Sequence, residues 1–460
     1  CNYLLSLLSS ELSMRRLALY AAVACSVIQG QHAFDIHIQE RTAQVEPTRL
    51  RATVESLASF GTRHTLSDSV KPNRGIKAAQ QWIINHVKSL QAIQGSRLQL
   101  YEERFTAGGS GRLPQPVELV NLGAILPGVD SSRKKEVLII AGHYDSLPSG
   151  QDPDADGPGA VDDASGVALC LEIARIMAAE KPAITIYFVA SAAEEQGLMG
   201  ATHLAKRLKA EGFTVRGMIA ADMVGNVQGI NKDTDNTTIR CFSEGVPSIE
   251  TETQKRTREA LGGENDGRSR EWARYVKRFG EPYSDNLDIW LMLRRDRVGR
   301  GGDHTPFANE GFPAIRFTDT FEHYDRQHQI PRVENGRRYG DTPDFFDENY
   351  CAKITRALLA SFMHLGNAPA PPYDIAIGGN GTANTRLTWK LPDDPRISGL
   401  VLYSRRSDAI HWQKTKTLPK STEITLQNVM LDNNVFAIAT LDASGNESVP
   451  VYPTALISGR

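Results

Sequence analysis

Short, uninterrupted apolar runs mark the central part of the chain, and apolar segments at helical spacing separate them. Runs of this kind are typical of strands that are covered on both faces of a sheet. Helices are predicted at 165–177 and near 201–210. The predicted strands are residues 137–141, 184–190, 218–221 and 314–317. This alternation predicts an α/β domain, with a mixed, largely parallel sheet flanked by helices.

The sequence on either side of this core follows other patterns. Upstream, apolar residues recur at helical spacing within residues 49–90, which we expect to be helical. Downstream, residues 368–372 form a Pro-rich linker. Beyond it, residues 373–460 contain only short alternating segments between turn residues, which predicts a small all-β sandwich. Trp389 and Tyr403 lie in such segments and are expected in its core.

The first 33 residues have the features of a secretion signal. Met14 precedes two arginines and then a short apolar run, so translation is expected to start there. A secreted or periplasmic protein is therefore predicted. The sequence around Cys25 also leaves a lipid anchor at that cysteine open. No other run is long and apolar enough to predict a membrane span.

The composition argues against nucleic acid as a partner. The chain of 460 residues is 40% hydrophobic and 23% charged, with a net charge of -2, so it has no basic footprint for nucleic acid. Cys170, Cys241 and Cys351 remain after the signal, and an odd number allows at most one disulfide among them.

Polar residues follow three of the predicted strands directly. His143 and Asp145 come after the first, Glu194 and Glu195 after the second, and Asp222 after the third. Ligand sites in open α/β sheets form beyond the carboxyl ends of the strands. We therefore expect these side chains to meet in one site.

The residue types favour zinc. Zinc binds imidazole nitrogen and carboxylate oxygen, and Asp145 could hold the other N–H of the His143 ring. Asp162 and Asp163 precede the predicted helix at 165–177, so one of them could bridge two metals, or both could cap the helix. Adjacent side chains diverge, so one of Glu194 and Glu195 could bind metal while the other acts as a general base on water.

These motifs resemble the co-catalytic dizinc aminopeptidases, a group that includes bacterial leucyl aminopeptidase and aminopeptidase Y. The resemblance spans about residues 48–366 and rests on residues 143–145, 161–166, 193–197, 222–225 and 302–307. It implies a zinc-peptidase α/β/α sandwich over residues 34–367 and a C-terminal module like fibronectin type III. It also implies roles for individual residues: one zinc on His143 and Asp222, a second on Glu195 and a late histidine, Asp162 as the bridge, Glu194 as the base, and Asp145 and Asp303 as supports behind the ligands.

The late histidine is where the chain departs from the family pattern, which usually has His-Thr-Pro-x-Asp after the last core strand. Here the corresponding segment, 322–329, contains both His323 and His328. We expect His328 to be the ligand, with His323 as the alternative. His304 lies in a motif that stays separate from the ligand set in the family.

The sequence thus predicts a zinc-dependent aminopeptidase with two zinc ions, acting on peptide or protein N-termini through a water between the metals that Glu194 activates. A carboxypeptidase on the same site is the main alternative, with the basic run at 294–300 binding the substrate carboxylate. Such a run is more often a solvated face with local ion pairs. A glutaminyl cyclase-like enzyme and an inactive binding protein are further alternatives, and the partner of the C-terminal module is not indicated.

Overall fold

The computed structural model describes residues 34–67, 71–150, 152–379 and 381–457. The predicted secretion signal, with Met14 and Cys25, lies outside the described residues. Among the residues that are described, no helix is both long and apolar enough to cross a membrane.

An eight-stranded mixed sheet forms the centre of the larger domain, in the order β1-β2-β4-β3-β5-β8-β6-β7. Strands β4, β3, β5 and β8 pair in parallel, as do β6 and β7, whereas β1–β2, β2–β4 and β8–β6 are antiparallel. The predicted mixed, largely parallel sheet is therefore confirmed. Its strands are β1 (Gln99–Ala107), β2 (Val117–Leu126), β3 (Glu136–His143), β4 (Thr185–Ser191), β5 (Thr214–Ala221), β6 (Thr238–Ser243), β7 (Asp288–Met292) and β8 (Ala314–Asp319).

Strand β3 shows why its sequence is a continuous apolar run. Leu138 and Ile140 belong to the core on one face of the sheet, and Val137 and Ile139 belong to the core on the other. All four side chains are fully buried. Both faces of the strand are therefore covered, which removes any position for a polar side chain until the strand ends at His143.

Helices cover both faces of the sheet. The core on one face includes residues of α2, α3, α4, α7 and α9, and the core on the other includes residues of α5 and α8. The helices are α1 (Ile36–Thr42), α2 (Pro47–Ala58), α3 (Gly75–Gln91), α4 (Ser165–Met177), α5 (Met199–Ala210), α6 (Glu252–Leu261), α7 (Arg268–Gly280), α8 (His304–Asn309) and α9 (Glu348–Asn367).

The prediction of helix throughout residues 49–90 is wrong in its middle. Helix α2 ends at Ala58 and α3 begins only at Gly75. Gly61 lies just past the end of α2 with φ at +72°, a left-handed conformation that glycine adopts without strain and that ends a helix. The segment between the two helices carries the buried Arg63.

A small hairpin follows the last strand of the sheet. Strands β9 (Arg332–Glu334) and β10 (Arg337–Tyr339) pair antiparallel around a turn at Asn335 and Gly336. The side chain of Val333 on this hairpin is 71% exposed. Residues 329–340, which contain the hairpin, connect two residues of the site described below.

The C-terminal part is a two-sheet β module, with strand orders β15-β12-β11-β17 and β14-β13-β16. Residues of both sheets share one core, which contains Trp389 as predicted, whereas Tyr403 is buried in a separate cluster with Val401, Ala437 and Ala439. The likeness to fibronectin type III stays a prediction. The strands are β11 (Tyr373–Gly378), β12 (Thr385–Lys390), β13 (Gly399–Arg406), β14 (Lys414–Pro419), β15 (Glu423–Leu426), β16 (Asn434–Leu441) and β17 (Ala455–Leu456).

Helix α7 joins the β module to the larger domain through buried polar contacts. The Glu271 carboxylate accepts hydrogen bonds from Trp412 Nε1, at 2.7 Å, and from the hydroxyl of Tyr452. Arg274 donates to the Tyr452 hydroxyl at 2.7 Å, and Tyr275 donates its hydroxyl to the backbone oxygen of Glu447 at 2.9 Å. Since these groups are satisfied only when the two domains are in contact, they fix the β module against α7.

Candidate metal centre

The ends of three neighbouring parallel strands bring the predicted site residues to one edge of the sheet. His143 is the last residue of β3, Asp222 directly follows β5, and Glu194 and Glu195 lie three and four residues past the end of β4. Because β4, β3 and β5 are adjacent and parallel, their carboxyl ends meet.

Asp162 lies at the centre of the cluster. Its Oδ1 is 3.1 Å from His143 Nε2, and its Oδ2 is 3.1 Å from His328 Nε2. Asp222 Oδ2 lies 3.9 Å from His143 Nε2, and Glu195 Oε1 lies 2.7 Å from His328 Nε2. The five side chains therefore form two groups that share one carboxylate.

The atoms at the centre of both groups are suited to a cation. His143 Nε2, Glu195 Oε1 and His328 Nε2 are all buried, and none has a hydrogen-bond partner. Burial opposes the protonation of His328, but Glu195 and Asp162 raise its pKa to about 11. Buried, unsatisfied nitrogen and carboxylate atoms that converge within 4.8 Å are a typical donor set for zinc.

The late histidine in this cluster is His328. His323 belongs to no group of converging ligand atoms within the residues that the structure describes. His304 is also elsewhere, with its Nε2 2.9 Å from the backbone oxygen of Arg295 and 3.5 Å from Asp296. Of the candidate histidines, the structure places His328 beside Asp162 and Glu195.

Glu194 belongs to a third group, with His143 and Glu195. Burial raises the pKa of Glu194 well above its ordinary value, and the nearby carboxylates of Asp222, Glu195 and Asp303 act in the same direction. A carboxyl group beside the cluster that holds a proton readily is suited to general acid–base work.

Sequence comparisons assign the chain to a family. The profile of peptidase family M28 matches residues 121–350, a segment that contains all five clustered residues and ends 22 residues after His328. A probable zinc metalloprotease of Leptosphaeria maculans is 37% identical over 418 residues, which cover 90% of this chain and 96% of that protein. The chain belongs to peptidase family M28.

Other comparisons agree with this assignment. A probable zinc metalloprotease of Pyricularia oryzae is 33% identical over 431 residues, covering 91% of this chain and 84% of that protein. Among solved structures, LapB of Legionella pneumophila has a TM-score of 0.50 at 20% identity, over 74% of this chain and 77% of that one. The LapA aminopeptidase of the same organism has a TM-score of 0.50 at 18% identity, over 73% and 74%. At these identities the two structures show a shared fold.

In this M28 peptidase, Asp162 and Asp163 divide the two roles that the sequence left open. Asp162 enters the cluster. Asp163 instead binds backbone, since its carboxylate accepts from the amides of His143 at 3.0 Å, Gly166 at 2.9 Å and Met223 at 3.2 Å. It therefore fixes the end of β3 and the start of α4 to each other.

Asp145 contacts both the His143 ring and the backbone of the Glu194–Glu195 turn. The Nδ1 of His143 lies 3.1 Å from the backbone oxygen of Asp145 and 3.6 Å from its carboxylate. The carboxylate accepts the backbone amides of Glu194 and Glu195, each at 3.1 Å. Both the backbone carbonyl and the carboxylate of Asp145 therefore lie near the Nδ1 of His143, with the carbonyl closer, and the carboxylate also orients the Glu194–Glu195 turn.

Asp303, expected to be a supporting residue, contacts the end of β4. Its Oδ2 accepts a hydrogen bond from the hydroxyl of Ser191, the last residue of β4. Burial raises the pKa of Asp303 to about 6, with Asp145 and Asp222 adding to the effect and His143 opposing it. Its position joins the start of α8 to the edge of the sheet where the site lies.

Several residues that contact the cluster belong to no motif that can be recognised in the sequence. Arg316 in β8 is almost fully buried, and its Nη2 lies 2.9 Å from Asp222 Oδ2. Gln327 donates its side-chain N–H to Asp162 Oδ2 at 2.9 Å. Asp341 accepts the backbone amide of Asp162 at 2.8 Å and that of Val161 at 2.9 Å.

Arg63, between α2 and α3, holds two of the site's loops together. It donates from Nε to the backbone oxygen of Tyr144 at 2.7 Å and from Nη2 to that of Gly159 at 2.8 Å. It also donates to Pro158 and Leu57 oxygens. Burial lowers its pKa to about 10, while Asp341 and Asp145 oppose that change. One guanidinium thus fixes the loop after His143 to the loop before Asp162.

The basic run at 294–300 is largely occupied by ion pairs within the protein. Arg297 and Arg300 lie 3.0 and 2.8 Å from Glu322, which also pairs with Arg240 at 3.0 Å. Arg297 also contacts Asp296 at 3.1 Å. The alternative interpretation of this run as local ion pairs therefore fits the structure better than a carboxylate-binding role.

Proposed function

We propose that this M28 peptidase is a zinc-dependent aminopeptidase that binds two zinc ions. The observation that carries the proposal is the position of Asp162, which presents one carboxylate oxygen to each of two histidines at 3.1 Å. A carboxylate shared in this way can bridge two metals. The relatives from L. maculans and P. oryzae are named as probable zinc metalloproteases, which supports zinc as the metal.

The ligand sets follow from the two groups of side chains. His143 and Asp222 would hold one ion, Glu195 and His328 the other, and Asp162 would bind both. When bound, zinc supplies Lewis acidity toward a carbonyl group and toward water. The carboxylates of the cluster would also make the site strongly selective for cations before any substrate arrives.

Glu194 would carry the proton from the attacking water to the leaving residue. Its side chain lies beside the ligands, and its burial gives the neutral form extra stability. It would accept a proton from the attacking water and return it to the nitrogen of the leaving residue. The contacts of Asp145 with the amides of Glu194 and Glu195 hold both side chains in position for these separate tasks.

The charge of the site favours the amino end of a substrate. Since Asp162, Glu195 and Asp222 are assigned to the metals, Glu194 is the carboxylate of the cluster left to complement a free ammonium group. The guanidinium groups of the basic run at 294–300 pair with Glu322 and Asp296 instead of facing an open carboxylate site. The carboxypeptidase alternative therefore loses the residues on which it depended.

The decisive experiment compares aminoacyl-anilides with N-blocked dipeptides, using the purified protein with zinc. Hydrolysis of the anilides, with N-blocked dipeptides left intact, is the expected result. Hydrolysis of the N-blocked dipeptides alone would refute an aminopeptidase and favour the carboxypeptidase. Metal analysis of the same preparation should give two zinc ions per chain, and the Asp162→Asn variant should retain fewer.

A further inference from the structure

Three asparagines of the chain begin the pattern Asn-x-Ser or Asn-x-Thr, with x other than proline: Asn236, Asn380 and Asn446. In secreted proteins the asparagine of this pattern is the acceptor for N-linked oligosaccharides. Asn380 lies outside the described residues. Two candidates therefore remain whose surroundings can be compared, the motifs at 236–238 and 446–448.

Asn236 lies on the surface, in the bend before β6. The residue is exposed, and its backbone oxygen accepts a hydrogen bond from Lys353 Nζ at 2.9 Å. Within the part of the chain that the structure describes, its side-chain amide forms no hydrogen bond. The backbone is thus held in place at this position, and a sugar on the side-chain nitrogen would displace no contact of the protein.

Asn446 differs because its side chain already holds a turn. Its Nδ2 donates to Asp442 Oδ2 at 2.8 Å, and its backbone N–H donates to Asp442 Oδ1 at 2.8 Å. The residue is half-buried, and the next residue, Glu447, is buried at the contact with α7. A sugar there would be attached to a nitrogen that the turn uses, next to a contact between the two domains. Of the two motifs, the one at 236–238 is therefore the better acceptor.

The surface next to Asn236 is concave and polar. A cleft of about 470 Å³ is lined by Thr237 and Thr238, the two residues that follow Asn236, and by residues between 281 and 288. On its wall, Ser284 is 9% exposed, and its Oγ has no hydrogen-bond partner among the described residues. Sugar hydroxyl groups can form hydrogen bonds with a buried polar group of this kind. The fold therefore leaves room and a polar partner for the first sugars of an oligosaccharide.

We propose that Asn236 carries an N-linked oligosaccharide. The inference is independent of the proposed peptidase activity and rests on the predicted secretion signal, since this sugar is added to chains that enter the secretory pathway. The donor is an oligosaccharide joined to a lipid through a diphosphate. A bond forms between Nδ2 of Asn236 and C1 of the first sugar, and the bond between that carbon and the diphosphate oxygen breaks. The lipid diphosphate and one amide proton leave.

The test expresses the chain from Met14 in a yeast host and analyses the secreted protein by peptide mass spectrometry, before and after treatment with peptide N-glycosidase. We expect a sugar on the peptide that contains Asn236, and its removal should leave an aspartate at that position. Asn236→Gln should abolish the sugar, as should Thr238→Val, which removes the hydroxyl group of the motif but keeps the acceptor. Thr238→Ser is the matched control, because it keeps a hydroxyl group at the same position and should retain the sugar.

Three results would overturn the inference. They are an unmodified Asn236 in the secreted protein, sugar confined to Asn380 or Asn446, and sugar on Asn236 that persists in Thr238→Val. Retention of the protein inside the cell would contradict the secretion signal instead. Replacing residues 14–33 by a yeast secretion signal then tests Asn236 separately, with the same three results counting against it.

Discussion

His328 Nε2 lies 2.7 Å from Glu195 Oε1, and both atoms are buried without a hydrogen-bond partner. A histidine and a glutamate this close would normally share a hydrogen bond. The unsatisfied geometry indicates that both atoms point toward a common ligand instead of toward each other.

We expect the substitution His328→Ala to remove one of the two proposed zinc ions and to lower kcat/KM at least about a hundredfold, since even partners behind metal ligands cost ten- to hundredfold when lost. His323→Ala is the matched control, because it removes a histidine five residues away that joins no ligand group among the described residues. Zinc content and activity should be unchanged in that variant. Equal zinc loss in the two variants would contradict the assignment.

Glu194→Gln should separate chemistry from metal binding. The amide cannot accept a proton, so kcat should fall by about 10² to 10⁴, the usual contribution of a general base. Glu194 lies outside the two groups that share Asp162, so the zinc content should stay at the wild-type value. Metal analysis and steady-state kinetics on one preparation check both parts. A variant that lost zinc along with activity would show that Glu194 is a ligand.

Arg63→Met should lower both the stability of the protein and its affinity for zinc, although it removes no metal ligand. The change leaves the carbonyl groups of Tyr144 and Gly159 without their donor, which should cost about 2 kcal/mol or more of stability. It should also lower the affinity for zinc, because the loops that carry His143 and Asp162 are no longer fixed to each other.

The matched control for Arg63 is Arg97→Met. Like Arg63, Arg97 donates to backbone oxygens, in its case those of Glu180 at 2.9 Å and Pro127 at 3.0 Å, but neither acceptor belongs to the site. This variant should lose stability and keep its zinc affinity. Isothermal titration of zinc into the metal-free proteins, with thermal unfolding alongside, distinguishes the two. Similar zinc affinities for both variants would refute the positioning role of Arg63.

Glu447 should make the stability of the protein depend on pH. Burial raises the pKa of Glu447 to about 7, with Arg278 and the Tyr403 hydroxyl opposing the shift. The folded state therefore keeps the proton where the unfolded state has lost it. The stabilisation is fully present below about pH 4.5 and is lost as the pH rises through about 7, a change of roughly 3 kcal/mol in the free energy of unfolding.

The measurement is urea unfolding of the wild type and Glu447→Gln between about pH 4.5 and 7.5. The variant should lose much less stability than the wild type over this range, because its amide does not titrate. Glu423→Gln, at an exposed position of the same module, should behave like the wild type. Parallel pH profiles for wild type and Glu447→Gln would show that Glu447 does not titrate in this range.

Much of the site could be predicted because strand ends are visible in the sequence. The apolar runs end at His143, before Glu194 and before Asp222, and parallel strands must bring their ends together. The site residues that were not predicted contact residues that are far from them in the sequence. Asp341 binds the amide of Asp162 from 179 residues away, and no local pattern records that contact.

The role of Arg63 was hidden for a different reason. Apolar residues recur at helical spacing within residues 49–90, so the sequence predicted helix throughout this range and gave Arg63 no role. The break after Ala58 turns the chain toward the sheet edge and buries the guanidinium completely. Only the tertiary structure shows that this charge has backbone oxygens to satisfy it.

Residues 329–340 lie between two residues that both contact Asp162. His328 contacts the Asp162 carboxylate, and Asp341 accepts the Asp162 amide. The hairpin between them can therefore be lengthened, shortened or replaced at its exposed turn while both attachments stay where they are. The segment next to the cluster can therefore change in length or sequence over evolution, or by engineering, without moving either of the residues that contact Asp162.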